Sequence, residues 1–387
     1  MNDFDPTTLI HHPYRAPTGF QSPQLGVYKA STVIFENTSA LRARDWRNKA
    51  GYTYGLHGTP TTFALEERIA TLEGGTESLL VPSGLAAVAL VDLALLKSGD
   101  DVLLPDNVYG PSRELARTDL ARWGITHRLY DPMDAAGLAT MITDRTRLVW
   151  LEAAGSVSME FPDLVGLVRA ARARGVLTAL DNTWGAGIAF RPFDLGIDVV
   201  SQALTKFPSG GGDVLMGSVT TRDAALHEQL KLAHMHLGYG VAGNDAELVL
   251  RSLPSLALRY HAHDATAREL ATWLATRREI GRVLHPALAS CPGHTHWQSL
   301  CSSAAGLFSV MVDARYSPAQ VDAFVDALRL FKIGYSWAGP VSLAVPYDLA
   351  AMRGTAPYPG TLVRFSIGLE SAAALRADLE QALKVLV

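Results

Sequence analysis

The chain has 387 residues, enough for two or three folded units rather than one. Hydrophobic residues make up 48% and charged residues 19%, so a large core is expected and disorder of the whole chain is not. The formal net charge is −4 and no basic patch stands out, which disfavours a nucleic-acid partner. Two cysteines, Cys291 and Cys301, are too few for a disulfide framework and suit a reducing, cytoplasmic setting.

Residues 1–58 show little periodicity, and they are expected to form an arm that contacts a neighbouring subunit. From Thr59 the texture changes. The stretch Thr62–Gly75 carries apolar residues at helical spacing (Phe63, Leu65, Ile69, Leu72) and stops at Gly74-Gly75. Short apolar runs then alternate with amphipathic ones as far as about residue 252. Such alternation predicts an α/β unit, with a mostly parallel central sheet flanked by helices on both faces. Its most apolar window, Leu79–Leu96, contains Pro82, Gly84 and Asp92, so it reads as strand plus helix, with no membrane span. After Leu253-Pro254 a long helical stretch (256–279) precedes short strands such as GLFSVMV and LVRFSIGL, which predicts a smaller α+β domain over 253–387.

In such sheets ligands bind at the carboxyl ends of the strands, and five polar positions fall there. Lys206 ends one apolar run and is followed by Ser209 and three glycines, room for a bulky ring to lie against the backbone. A lysine at that edge can form a Schiff base with a carbonyl cofactor, though a solvated lysine would look the same locally. Asp181 ends another run, 25 positions earlier, where a carboxylate can hold a pyridinium nitrogen or cap a helix. Ser83-Gly84-Leu85 joins a strand to a helix, where free N–H groups bind phosphate, with the Thr205 hydroxyl as a further donor. Tyr109 follows the DVLLP strand and can stack on a flat ring or fill the core. Arg364 lies inside an apolar strand and must pair, with a substrate carboxylate or internally. Together these residues call for pyridoxal phosphate (PLP) catalysis.

The stretches YGLHGTPTTFALEERIATLEGG, PDNVYGPS, DNTWGAG, FDLGIDVVSQALTKF, HPAL, YSWAG and TLVRFSIGLE resemble the motifs of the Cys/Met-metabolism family of PLP enzymes, of fold type I. The likeness runs from about Tyr54 to the C-terminus and is strongest to the bacterial cystathionine β-lyases. It implies a carbon–sulfur lyase that splits cystathionine by α,β-elimination. The same scaffold also hosts γ-elimination, cysteine desulfhydration and γ-replacement. By resemblance Lys206 is the imine lysine and general base, Asp181 the pyridinium partner and Tyr109 the stacking ring. Gly84, Leu85 and Thr205 contact the phosphate, Arg364 clamps the α-carboxylate, and Ser336 and Trp337 line the substrate side. Tyr54 is implied at the phosphate and the chemistry of a neighbouring subunit, so sites are shared in a dimer, and two dimers form a tetramer.

The chain also departs from the family pattern. Leu56 replaces an arginine that reaches the phosphate, and His57 is the candidate substitute. Glu152-Ala153-Ala154-Gly155, Gln298-Ser299-Leu300 and Ala338-Gly339-Pro340-Val341-Ser342 differ from the family pattern on the substrate side. Two readings outside this chemistry stand beside it. Cys291, His294, His296 and Cys301 are zinc-ligand types within eleven positions, at a spacing unlike a standard finger. A non-catalytic homologue that keeps only the fold is the other.

Overall fold

The computed structural model describes residues 19, 22, 24–47 and 49–386. The first part of the expected arm therefore lies outside the described residues. Its described part holds a short helix, Thr38–Arg42, and an isolated bridge between Thr32 and Tyr54.

A seven-stranded sheet is built from β1 (Glu77–Val81), β2 (Asp101–Pro105), β3 (Thr126–Tyr130), β4 (Thr146–Glu152), β5 (Leu177–Asp181), β6 (Val199–Gln202) and β7 (Gly217–Thr221), in the spatial order β1-β7-β6-β5-β4-β2-β3. From β3 across to β6 every pairing is parallel, as the apolar strands predict. β7 is antiparallel to both β6 and β1. Two reversals cancel, so β1 runs in the same direction as β6. Its carboxyl end, followed by Ser83, opens at the same edge as Tyr109, Glu152, Asp181 and Lys206. The sequence reading of a mostly parallel sheet thus holds with one reversed strand, and that reversal is what brings the Ser83 turn to the edge used by the others.

Helices cover both faces. Pro60–Glu73 begins with a Thr59 capping box and ends at Gly74 with φ +77°, the left-handed stop that Gly74-Gly75 promised. Gly84–Leu95 is capped by Ser83, whose hydroxyl accepts from Ala86 N at 3.0 Å. That helix is fastened to β4 where Trp150 Nε1 donates to Asp92 Oδ1 at 2.8 Å, and burial pushes the Asp92 carboxyl up to about 7. The chain after β2 passes from a short helix, Gly110–Leu115, into a π-helical turn, Ala116–Leu120.

The helix Leu256–Leu274 ends five residues before the expected Glu279, at a turn where Ala275, Thr276 and Arg277 close on Ala271, Trp273 and Leu274. It leads to a second, five-stranded sheet in the order β10-β11-β12-β9-β8, formed by β8 (Ile280–Leu284), β9 (Leu307–Val312), β10 (Lys332–Ile333), β11 (Leu343–Tyr347) and β12 (Thr361–Ser366). Its pairings are antiparallel except β10–β11. Phe308, Val310, Val363 and Phe365 are fully buried in its core. Among the described residues no helix is long and apolar enough to cross a membrane.

Candidate active site

The strand ends of the seven-stranded sheet and the loops of the second sheet enclose one cavity of about 670 Å3. Lys206 stands in it, held by the turn that follows β6. Its backbone N–H bonds Ala203 O at 3.0 Å and Gly210 N returns to Lys206 O at 2.9 Å. Arg259 Nη1 donates to Phe207 O at 2.7 Å, and a Cβ on Gly210 would lie 2.1 Å from that nitrogen. Gly210, at φ +65°, therefore makes room for Arg259, not for a ring against the backbone as the sequence suggested. The Lys206 amine donates to Ser336 Oγ at 2.8 Å and lies 5.3 Å from the centre of the Trp337 ring. Burial and the Arg364 charge bring it down to about 8, against the pull of Asp181. An amine that titrates there exchanges protons readily near neutral pH.

Asp181 and Glu152 are register partners on the adjacent strands β5 and β4, and both open onto the cavity. Asp181 Oδ1 accepts from Thr183 N at 2.9 Å, while Glu152 Oε2 accepts from Tyr109 N at 2.8 Å. Burial pushes both carboxyls up, and Asp181 pushes Glu152 further. Glu152 was not singled out from the sequence. The strand register that sets it beside Asp181 joins positions 29 apart, and no local signal marks that.

The Ser83 turn meets β6 closely. A Cβ on Gly84 would lie 2.6 Å from Ala203 Cβ, and one on Gly217 would lie 2.3 Å from Ser83 O. Gly84 and Leu85 are the first residues of a twelve-residue helix, so their N–H groups lack intrahelical partners and face the cavity end. Thr205 lines the same end, but its hydroxyl is engaged with Met216, donating to O at 3.1 Å and accepting from N at 3.0 Å.

At the opposite end Arg364 is 6% exposed. Its Nη2 donates to Tyr335 O at 2.5 Å and its guanidinium lies 5.2 Å from the Tyr347 ring centre. Its Nε has no protein partner, a buried donor still to be satisfied. Tyr109, 40% exposed, Ser336 and Trp337 complete the wall.

The structure thus gathers Lys206, Asp181, Gly84, Leu85, Thr205, Tyr109, Arg364, Ser336 and Trp337 around one cavity. Tyr54 stands outside its own chain's cavity, half-exposed and edge-on to His57. Leu56 and His57 line a separate small pocket with Lys231, His234 and Tyr239. Burial and the charges of Lys231 and Arg44 lower the pKa of His57, the candidate substitute for the missing arginine, and Thr53 Oγ1 bonds its Nδ1 at 2.7 Å. Two of the four zinc-type residues are engaged with backbone carbonyls. Cys291 Sγ donates to Met159 O at 3.4 Å, with its thiol pushed up to about 12 by burial, and His294 Nδ1 bonds Pro286 O at 2.9 Å. Among the described residues no three His, Cys, Asp or Glu side chains are grouped to hold a metal.

The cavity fits PLP on its own geometry. It offers a helix start where only glycine can sit, an amine with a lowered pKa, a carboxyl pair beside it and an orphaned arginine donor across from them. Comparison with known proteins agrees. Residues 6–384 match the model of a family described as Cys/Met metabolism PLP-dependent enzyme. A cystathionine beta-lyase of Bordetella avium is 40% identical over 386 residues, covering 97% of this chain and 96% of the relative. Cystathionine beta-lyase MetC of Escherichia coli K12 is 35% identical over 363 residues, covering 92% and 91%. The solved structure of cystathionine gamma synthase from Xanthomonas oryzae pv. oryzae, in complex with aminoacrylate and cysteine, matches with a TM-score of 0.87 at 30% identity over 95% of each chain.

Proposed function

The chain belongs to the Cys/Met metabolism PLP-dependent enzyme family, and from that premise we propose that it is a carbon–sulfur lyase that converts L-cystathionine and water to homocysteine, pyruvate and ammonia. The observation that carries the reading is the Lys206 amine, depressed to about 8 and bonded to Ser336, in one cavity with the unpaired Nε of Arg364. When bound, PLP supplies an electron sink for the carbanion formed at the substrate α-carbon.

The residues around it divide the remaining work. Lys206 would hold the cofactor through its amine. Asp181 would pair with the ring nitrogen, while Glu152 fixes Tyr109 through the Tyr109 N–H. The Tyr109 ring stacks, and the N–H groups of Gly84 and Leu85 take the phosphate. Arg364 grips the α-carboxylate through a fork that includes Nε. The freed Lys206 amine takes the α-proton. The β-carbon–sulfur bond then breaks, and Lys206 returns a proton to the leaving thiolate. The aminoacrylate released hydrolyses to pyruvate and ammonia.

In this reading residues 59–252 hold the cofactor, 253–387 close on the substrate and 1–58 reach a neighbouring copy in a cytoplasmic tetramer of two dimers, bringing Tyr54 to that copy's site. Exposed Leu25, Tyr28 and Ile34 on the arm offer the apolar surface such a neighbour would cover. Size measurement in solution checks this part. The reaction itself is checked by identifying the oxo acid formed from cystathionine. Pyruvate supports β-elimination, and 2-oxobutyrate replaces it with γ-elimination on the same scaffold.

A further inference from the structure

We propose that Met352 determines which sulfur substituents the cavity accepts, and that Arg353 is the positioning residue that seats it; the inference rests on the lyase reading above. Met352 lies in the short helix Leu349–Arg353, lines the cavity beside Tyr347 and Arg364, and packs with the cluster of Val157, Met159 and Leu307. Methionine has three rotatable bonds and does not hold its own place. Here two arginines fix its backbone. Arg113, from the helix that follows Tyr109, donates through Nη1 to the Met352 carbonyl.

Arg353 bridges two carboxylates, the buried Glu160 and the partly buried Asp106. Its Nη1 donates to Glu160 Oε1 and Oε2 at 2.8 and 2.9 Å, and its Nη2 to Asp106 Oδ1 and Oδ2 at 2.8 and 3.0 Å. The Arg353 side chain is 8% exposed and that of Glu160 4%. Glu160 also accepts from Asn107 Nδ2, Ser158 Oγ and Tyr358 OH, each at 2.8 Å. This hub joins three segments that line the cavity. One is the loop after β2, which carries Tyr109. The second is the loop 153–161, with Ser156, Val157 and Met159. The third is the helix of Met352. A buried arginine that holds one carboxylate with each terminal nitrogen allows one geometry and resists sliding.

The chemistry of the wall divides along the same line. Lys206 and Arg364 address what every cysteine-derived substrate shares: its α-proton, its α-carboxylate and the bond that breaks. Met352, Met159 and Val157 add no charge and offer an apolar, polarizable surface. That surface suits the part that varies, the group on sulfur. The methylene chain of a long substituent gives it more apolar area to cover than a methyl group does.

The test compares L-cystathionine with S-methyl-L-cysteine on the holoenzyme. Two quantities are measured: pyruvate formation, and the dissociation constant of each amino acid from the change in cofactor absorbance. Met352→Ala is expected to lower kcat/KM for cystathionine about tenfold, chiefly through KM, and to leave S-methylcysteine within about twofold. Met352→Leu, of similar volume, should recover most of that loss. Arg353→Lys keeps a cation between Asp106 and Glu160 but loses the fork, and should shift the ratio of the two substrates in the same direction as Met352→Ala. Equal losses for both substrates in Met352→Ala overturn the specificity claim. An unchanged ratio in Arg353→Lys overturns the positioning claim. Unmutated enzyme that binds both amino acids and forms no pyruvate overturns the lyase reading, while the dissociation constants across the variants still decide the claim about Met352.

Discussion

The two ends of the cavity are made of different material. The end with Gly84, Leu85, Asp181 and Lys206 is built from strand termini and a helix start, with backbone N–H groups and side chains at a strand end or within four residues of one. The end with Tyr335, Trp337, Tyr347, Met352 and Arg364 is built from side chains of the second sheet and its loops, docked across the chain by Arg113 and Arg353. The first end has little freedom, because its position is the position of the sheet. The second can vary side chain by side chain without moving a strand. A cofactor shared by many reactions belongs at the first end, and the choice of substrate belongs at the second.

Changes at Lys206 should break that division most severely, since it serves both ends. Lys206→Ala is expected to lower turnover at least about a hundredfold, measured by pyruvate release, with the protein still folded by circular dichroism. In the cofactor-free chain the same amine should react with an amine-selective label with a midpoint at about 8, well below the ordinary 10.5, because the neutral form is the nucleophile. Removing the nearby cation in Arg364→Ala should move that midpoint upward, since Arg364 is one of the groups that depress it.

Arg364→Ala should also separate the two ends. Loss of the carboxylate grip is expected to cost about 1.5–3 kcal/mol, roughly ten- to a hundredfold in kcat/KM, with cofactor affinity nearly unchanged. Kinetics and a cofactor titration on the same sample check both halves. Gly84→Ala should do the reverse. Its new Cβ would press on Ala203 Cβ from 2.6 Å, so the helix start must shift, at about 1–3 kcal/mol of stability. The loss should appear as a lower melting temperature and weaker cofactor binding, more than as a change of preferred substrate.

The same division decides what could be read from the sequence. Asp181, Tyr109, Ser83-Gly84 and Lys206 each follow a short apolar run, so strand-end logic places them at one edge before any coordinates. Arg364 was legible because a charge inside an apolar strand needs a partner. Glu152 was not, because its importance comes from lateral register with Asp181. Met352 and Arg353 were not, because an AMRG stretch carries no local sign that its arginine will meet Asp106 and Glu160 some 200 positions away. The reversal of β7 was hidden for the same reason, since apolar strands look alike in either direction. Thr205 shows a limit of another kind: its place was foreseen, but its bonds to Met216 were not. Of Cys291, His294, His296 and Cys301, close in sequence, Cys291 and His294 bond backbone carbonyls while His296 is half-exposed beside Asp163.

The central claim is that Lys206 is the residue that holds the cofactor. It is tested most directly by loading the protein with PLP, reducing it with borohydride and mapping the modified peptide by mass spectrometry. The account predicts a visible absorbance band that disappears on reduction, with the reduced adduct on Lys206 and none in Lys206→Ala. No band after loading, or an adduct on another lysine, would contradict it.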